Sequence, residues 1–205
     1  MSARLAVLVS GGGRSLENLA EVIARGELDA QLGLVVANTP GAHALERARR
    51  LGIEAVVVPH REHPEVEHFS AAVFAAVEAH RCDLVVLAGF LRLLRIPERW
   101  LGRVINIHPA LLPAFGGKGY YGERVHRAVI ERGVQFSGCT VHYVTNEYDA
   151  GPILLQRCVP VRPDDTPETL AARVFEQEKL ALPEAIRLHL AGLVRLEDGR
   201  VRRAT

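Results

Sequence analysis

The chain has 205 residues, 48% of them apolar and 24% charged, a balance that suits one soluble globular domain with a substantial core. A formal net charge of +1, with no run of Lys or Arg, argues against nucleic acid as a partner, and no apolar run approaches the roughly 20 residues of a membrane span. Cys82, Cys139 and Cys158 are far apart and odd in number, so they read as reduced thiols of a cytoplasmic protein; no signal peptide is expected, because Ser10-Gly11-Gly12-Gly13 interrupts the apolar Leu5–Val9 stretch.

Arg4–Val9 reads as a strand buried on both faces, since its residues are almost continuously apolar. Ser10 to Ser15 then turns into a helix over about Leu16–Arg25. Glycines there let a backbone approach an anion, and free N–H groups at a helix start favour a phosphate; a ligand-free strand-to-helix connector has the same composition, and both readings stand. Two nucleotide motifs fail: Leu16 stands where a dinucleotide fingerprint wants Gly or Ala, and GxxxxGK[ST] is missing, so a mononucleotide-sized phosphate fits better than NAD or ATP.

Leu34–Ala37 reads as the second strand, His43–Leu51 as a helix closed by Gly52, Glu54–Val58 as the third strand and Glu65–His80 as the next helix. His60, His63 and His68 share no single face, and no metal site is expected. Leu84–Ala88 is the fourth buried strand, and the apolar loop Gly89–Leu94 either lines a pocket for a flat organic ligand or packs into the core. This alternation predicts an α/β fold, a doubly wound and mostly parallel sheet.

Val104, Ile105 and Ile107 form a short buried strand that Pro109 stops. Asn106 and His108, two residues apart on it, point to one side at the strand end, where open α/β sheets bind ligands. Such a pair also occurs as satisfied polar groups, but polar residues on a buried strand before a Pro-x-x-x-Pro loop are costly without a partner or a function. Phe115–Gly122, with four glycines, is expected to be a mobile loop, and Glu123–Arg132 a helix. Gly138–Val144 and Ile153–Val159 read as an antiparallel extension joined by the long polar loop Thr145–Pro152. Thr166 and Pro167 start a last helix that reaches about Leu190 and bends at Pro183, and Asp198-Gly199 marks a hairpin. With no repeat or linker, residues 1–205 are expected to form a single domain.

Ser10-Gly-Gly-Gly13, Leu87-Ala-Gly-Phe-Leu-Arg-Leu-Leu94, Asn106-Ile-His-Pro109, Leu111-Leu-Pro113 and Asp149-Ala-Gly-Pro152 together closely resemble the phosphoribosylglycinamide formyltransferases of de novo purine (IMP) synthesis, in unbroken order from about Arg4 to Leu190. The resemblance implies a Rossmann-like formyltransferase fold, with a nucleotide-phosphate half over about 1–100, a folate and catalytic half over about 101–190 and a hairpin over about 193–205. It implies formyl transfer from 10-formyltetrahydrofolate, as co-substrate, to the amine of glycinamide ribonucleotide, without metal, NAD or ATP.

By that resemblance Asn106, His108 and Asp149 are catalytic: Asn106 donates to an oxyanion, protonated His108 passes a proton to the leaving folate nitrogen, and Asp149 favours the imidazolium. Gly12, Gly13, Arg14, Ser15 and Glu178 would bind phosphoribosylglycinamide. Leu91, Arg92, Leu93, Leu94, Asn106, Thr145, Asn146, Glu147, Tyr148 and Asp149 would bind the folate, and Thr140 keeps a hydroxyl where the family often has Ser. Three departures from the family stand out. Gly13-Arg14-Ser15 replaces Gly-Ser-Asn, no clear counterpart exists for an arginine on the folate glutamate tail (Arg61 is only a neighbour), and Ala150 replaces a frequent Gly. The partners implied are small molecules, with no nucleic acid or membrane, in a monomer or homodimer.

The rivals are other folate enzymes, methionyl-tRNA formyltransferase and formyltetrahydrofolate deformylase, whose additional C-terminal and N-terminal domains this chain is expected to lack. A non-catalytic nucleotide-binding module or a dinucleotide oxidoreductase would need the missing third glycine and an acidic residue where Asn38 stands.

Overall fold

The structure is a computed structural model that describes residues 2–203, so the ends of the expected 1–205 domain and the last two residues of the expected 193–205 hairpin lie outside the described residues. Nine strands and five α-helices are described, and seven of the strands form one sheet in the order β3-β2-β1-β4-β5-β6-β7. Compactness divides the chain into two units, residues 1–105 and 106–205, with the boundary inside β5 (Val104–His108).

The first unit alternates as the sequence predicts: β1 (Ala3–Val9), α1 (Arg14–Ala24), β2 (Ala30–Ala37), α2 (Ala44–Arg50), β3 (Ala55–Val57), α3 (Val66–Ala79) and β4 (Leu84–Ala88). The pairs β1–β2, β1–β4 and β2–β3 are all parallel. Leu5 to Val9 and Leu84 to Val86 are fully buried, which is why these strands lack polar alternation. Two boundaries differ from expectation by more than one residue. α1 starts at Arg14 because Gly13, in the left-handed region at φ 76, makes the break; β2 starts at Ala30, several residues before its continuous apolar run.

The second unit holds α4 (Glu123–Arg132), β6 (Phe136–Tyr143), β7 (Ile153–Pro160), α5 (Pro167–Leu190) and the hairpin β8 (Val194–Glu197) and β9 (Arg200–Arg203). β6 and β7 pair antiparallel, the expected extension. α5 packs on both strands and on α4, burying Leu170, Val174, Ala181, Leu182, Ala185 and Ile186 along one helical stripe. It remains one helix through the buried Pro183, where the sequence suggested a bend.

Its start is a reciprocal cap: Thr166 Oγ1 accepts from the Thr169 N–H at 3.3 Å, and Thr169 Oγ1 accepts from the Thr166 N–H at 3.0 Å. Asp165 just before it takes two 2.7 Å bonds from Arg173, which hold its carboxyl well below the usual range despite some desolvation. Thr166→Ala is expected to cost about 1 kcal/mol, read as a lower urea midpoint at unchanged slope.

Candidate active site

Asn106 and His108 leave β5 on one side, as their spacing requires, and the chain turns back after Pro109. The loop between β6 and β7 brings Asp149 to them. Two features of Asp149-Ala150-Gly151-Pro152 make this possible. Asp149 adopts the left-handed region at φ 53, which short polar side chains tolerate better than others. Gly151 passes directly over the Tyr143 carbonyl, where a Cβ would overlap the oxygen and lie 3.3 Å from His142 Nδ1. Ala150 is not among the positive-φ residues, so its methyl group meets no backbone penalty there.

The resulting cluster is buried: the side chains of His108, His142 and Asp149 are 5%, 2% and 13% exposed, so solvent does little to screen them. Asp149 Oδ2 accepts the Gly117 N–H at 2.9 Å and lies 3.5 Å from His108 Nδ1. Asp149 Oδ1 accepts from Asn106 Nδ2 at 3.3 Å and lies 3.6 Å from His142 Nε2. His108 Nε2 is 2.8 Å from the Phe115 carbonyl and His142 Nδ1 is 2.8 Å from the Tyr143 carbonyl, so each of these nitrogens carries the hydrogen. In the neutral rings that leaves His108 Nδ1 bare toward Asp149 and His142 Nε2 bare to accept from Asn106 Nδ2 at 3.0 Å. Both Asn106 hydrogens are therefore engaged, one on His142 and one on Asp149.

Burial pushes the Asp149 carboxyl upward, but the His142 contact, the His108 charge and the Gly117 N–H outweigh it and hold the group below its ordinary value. His108 shows the opposite balance. Burial pulls its imidazole down, and neither the Asp149 charge nor the Phe115 carbonyl restores it. Asp149 does favour the imidazolium, as expected, but the desolvation of the ring is the larger effect.

The sequence reading did not single out His142. Its signal was present, as a histidine two residues from Thr140 on one face of an alternating strand, but a strand histidine carries no mark of what lies opposite. The loop expected to be mobile is tied at its start through Phe115 and Gly117.

Gly12 is exposed and open; Gly13 caps α1, and a Cβ there would lie 2.7 Å from that of Ala44, so both conformation and packing demand glycine. Arg14 and Ser15 form the first turn of α1, which Glu17 ties to α2 through Arg47 and Arg50. Leu91 and Arg92 are exposed, Leu93 is half-buried, and Leu94 is a core side chain. The Leu91 N–H donates to Ser10 Oγ at 2.8 Å, and Arg92 Nη2 meets His60 Nε2 at 2.6 Å.

In the second unit, Asn146, Glu147 and Tyr148 are exposed and Thr145 is half-buried, with weak 3.4 Å contacts from Thr145 Oγ1 to the Glu147 backbone. Glu178 is half-buried on α5, near enough to help raise the Cys139 thiol, which burial chiefly pushes up to about 12. Cys139 precedes Thr140 on β6, so the two side chains leave opposite faces of the strand. Among the described residues no group of three His, Cys, Asp or Glu is arranged to hold a metal, and no helix is long and apolar enough to cross a membrane.

The formyl transferase family model matches residues 3–186, and the chain belongs to that family. It is 41% identical to the trifunctional purine biosynthetic protein adenosine-3 of Gallus gallus over 97% of this chain, spanning 20% of that protein. It is 41% identical to the chloroplastic phosphoribosylglycinamide formyltransferase of Arabidopsis thaliana over 89% of this chain and 64% of the relative. It thus covers about a fifth of the trifunctional relative and less than two thirds of the plant one. The crystal structure of glycinamide ribonucleotide transformylase 1 from Symbiobacterium toebii superimposes with a TM-score of 0.92 at 40% identity, covering 100% of this chain and 95% of that one.

Gly151→Ala is expected to cost on the order of 1–3 kcal/mol in chemical denaturation, because the added methyl meets backbone rather than a side chain that can swing away. Stability is also expected to fall as the medium is acidified. The unfolded chain protonates His108 near its ordinary value of 6.5 while the folded imidazole resists, so stability is lost from about there downward; the lowered Asp149 adds a second loss below its ordinary value of 3.8. Unfolding measured between pH 8 and pH 3 checks this, and His108→Gln should flatten the upper part of the decline.

Proposed function

We propose that this chain transfers the formyl group of 10-formyltetrahydrofolate to the primary amine of 5′-phosphoribosylglycinamide, giving formylglycinamide ribonucleotide and tetrahydrofolate. The observation that carries the reading is a buried Asp149 carboxylate 3.5 Å from the bare Nδ1 of His108, beside the Asn106 amide. Family membership and about 40% identity to glycinamide ribonucleotide formyltransferases support the choice of acceptor.

On this reading the amine nitrogen attacks the formyl carbon, a C–N bond forms, and the carbonyl electrons move to oxygen. Asn106 stabilises that oxyanion by exchanging one of its two present hydrogen bonds, the 3.3 Å bond to Asp149 being the longer. The resting His108 is neutral, so its Nδ1 accepts the proton that the attacking amine sheds. The imidazolium so formed lies against Asp149 and returns the proton to the folate nitrogen as the C–N bond to folate breaks. The proton is conserved, and no covalent enzyme intermediate is needed.

Gly12, Gly13, Arg14, Ser15 and Glu178 are assigned to the phosphoribosylglycinamide, the first four through the glycine turn at the start of α1, where Gly12 is open. Leu91 to Leu94 and Thr145 to Asp149 are assigned to the folate, with Leu94 restricted to backbone contacts because its side chain is buried. The enzyme acts on small molecules in the cytoplasm as a monomer or homodimer. It uses no metal, NAD or ATP, and its partners include neither nucleic acid nor membrane.

The test is a formyl-transfer assay with purified protein, 10-formyltetrahydrofolate and phosphoribosylglycinamide, without ATP. Formylated ribonucleotide that depends on the acceptor supports the assignment; formate released regardless of acceptor overturns it in favour of a hydrolase. His108→Asn and Asp149→Asn are each expected to lower kcat by about 10²–10⁴-fold while the protein stays folded.

A further inference from the structure

Two of the hydrogen bonds that orient the His108–Asp149 pair come from one stretch of backbone: the Phe115 carbonyl takes the His108 Nε2 hydrogen, and the Gly117 N–H donates to Asp149. That stretch is anchored at its base by a side chain outside the reacting cluster. Thr140 is fully buried in β6, and its hydroxyl donates to the Ala110 carbonyl at 2.7 Å. The same oxygen accepts the Leu112 N–H at 3.0 Å and a Gln156 Nε2 hydrogen at 3.0 Å. Gln156, the partner of Thr140 in the β6–β7 register, also donates to the Leu112 carbonyl at 2.9 Å. One hydroxyl and one amide thus satisfy three backbone polar atoms of the segment that immediately follows His108 and Pro109. The segment then reaches the cluster by contact, since Gly116 fits between the Leu112 side chain and Asp149 with no room for a Cβ.

We infer that Thr140, supported by Gln156, is a positioning residue for the formyl-transfer site: its hydroxyl pins the 110–112 strap and so sets where the Phe115 carbonyl and the Gly117 N–H hold His108 and Asp149. The inference rests on the reading above for the reaction, and on geometry alone for the positioning. Thr140 touches neither His108 nor Asp149 directly in this role. The valine that matches its shape would leave the Ala110 carbonyl and Leu112 N–H without their partner, and the strap free to shift.

The experiment compares Thr140→Val, Thr140→Ser and Gln156→Met with the wild type in steady-state kinetics and in ¹⁵N spectra of the histidine side chains. Thr140→Val is expected to lower kcat on the order of 10–100-fold with little change in either KM, because misplacement affects the reacting geometry more than substrate binding. Thr140→Ser, which keeps the hydroxyl, is expected to restore kcat, and Gln156→Met to lower it in the same direction by less. The Nε2–H signal of His108 should shift in Thr140→Val and not in Thr140→Ser. Wild-type kcat in both Thr140→Val and Gln156→Met, or a Thr140→Ser variant as impaired as Thr140→Val, overturns the role of the hydroxyl. Should Thr140→Val fail to fold, Gln156→Met decides. A wild type inactive in formyl transfer defeats the reading of the reaction, and the histidine spectra still decide the positioning.

Discussion

Asp149 holds a carboxylate where solvent barely reaches it, and burial alone would drive that group toward its neutral acid. It stays ionised because N–H groups donate to both of its oxygens, Gly117 to one and the Asn106 amide to the other, and because two imidazoles lie within 3.6 Å that favour its charge once they take up a proton. The same proximity gives His108 an opposite charge to lean on, yet burial draws its imidazole below the ordinary value. The two shifts run in opposite senses to what burial or pairing alone would give, and they fit the proton transfer proposed for the site. A buried carboxylate cannot be left with these partners removed, so the positions of Asn106, His108, His142 and the 115–117 backbone are fixed by one constraint.

The second unit meets that constraint with ordinary devices. A strand that ends at a proline delivers Asn106 and His108 in register, and an antiparallel pair supplies a loop of the right length to return Asp149. Gly151 lets that loop cross the Tyr143 carbonyl, the same carbonyl that fixes the tautomer of His142. The long helix α5, capped by Thr166 and Thr169, covers the opposite faces of β6 and β7 and gives the pair a rigid backing through Val174, Leu182 and Ile186.

Local chemistry made much of this legible before any coordinates. Glu123–Arg132 has the bounds read from its pattern; Thr166-Pro167 and Asp198-Gly199 act as the cap and turn that their composition specifies, with Asp198 and Gly199 at φ 49 and 71. Three things were not legible, each because it depends on contacts distant in sequence. His142 needs Asn106 opposite it to have meaning. The downward shift of His108 depends on how fully the cluster is desolvated, whereas the pairing with Asp149 alone suggested an upward one. Leu94 sits in an apolar loop that composition left open between ligand wall and core, and the structure makes it core, 1% exposed. A smaller, local difference is the start of α1, which falls two residues earlier than its apolar pattern suggests because Gly13 takes the left-handed conformation just before it.

The most direct test of this account is the titration of His108 followed by ¹⁵N chemical shifts, in the wild type and in Asp149→Asn. The geometry predicts a neutral ring protonated at Nε2 that titrates below the ordinary histidine value, and lower still once the Asp149 charge is gone. A ring protonated at Nδ1, or a His108 that titrates above the ordinary value and is indifferent to Asp149, would contradict it.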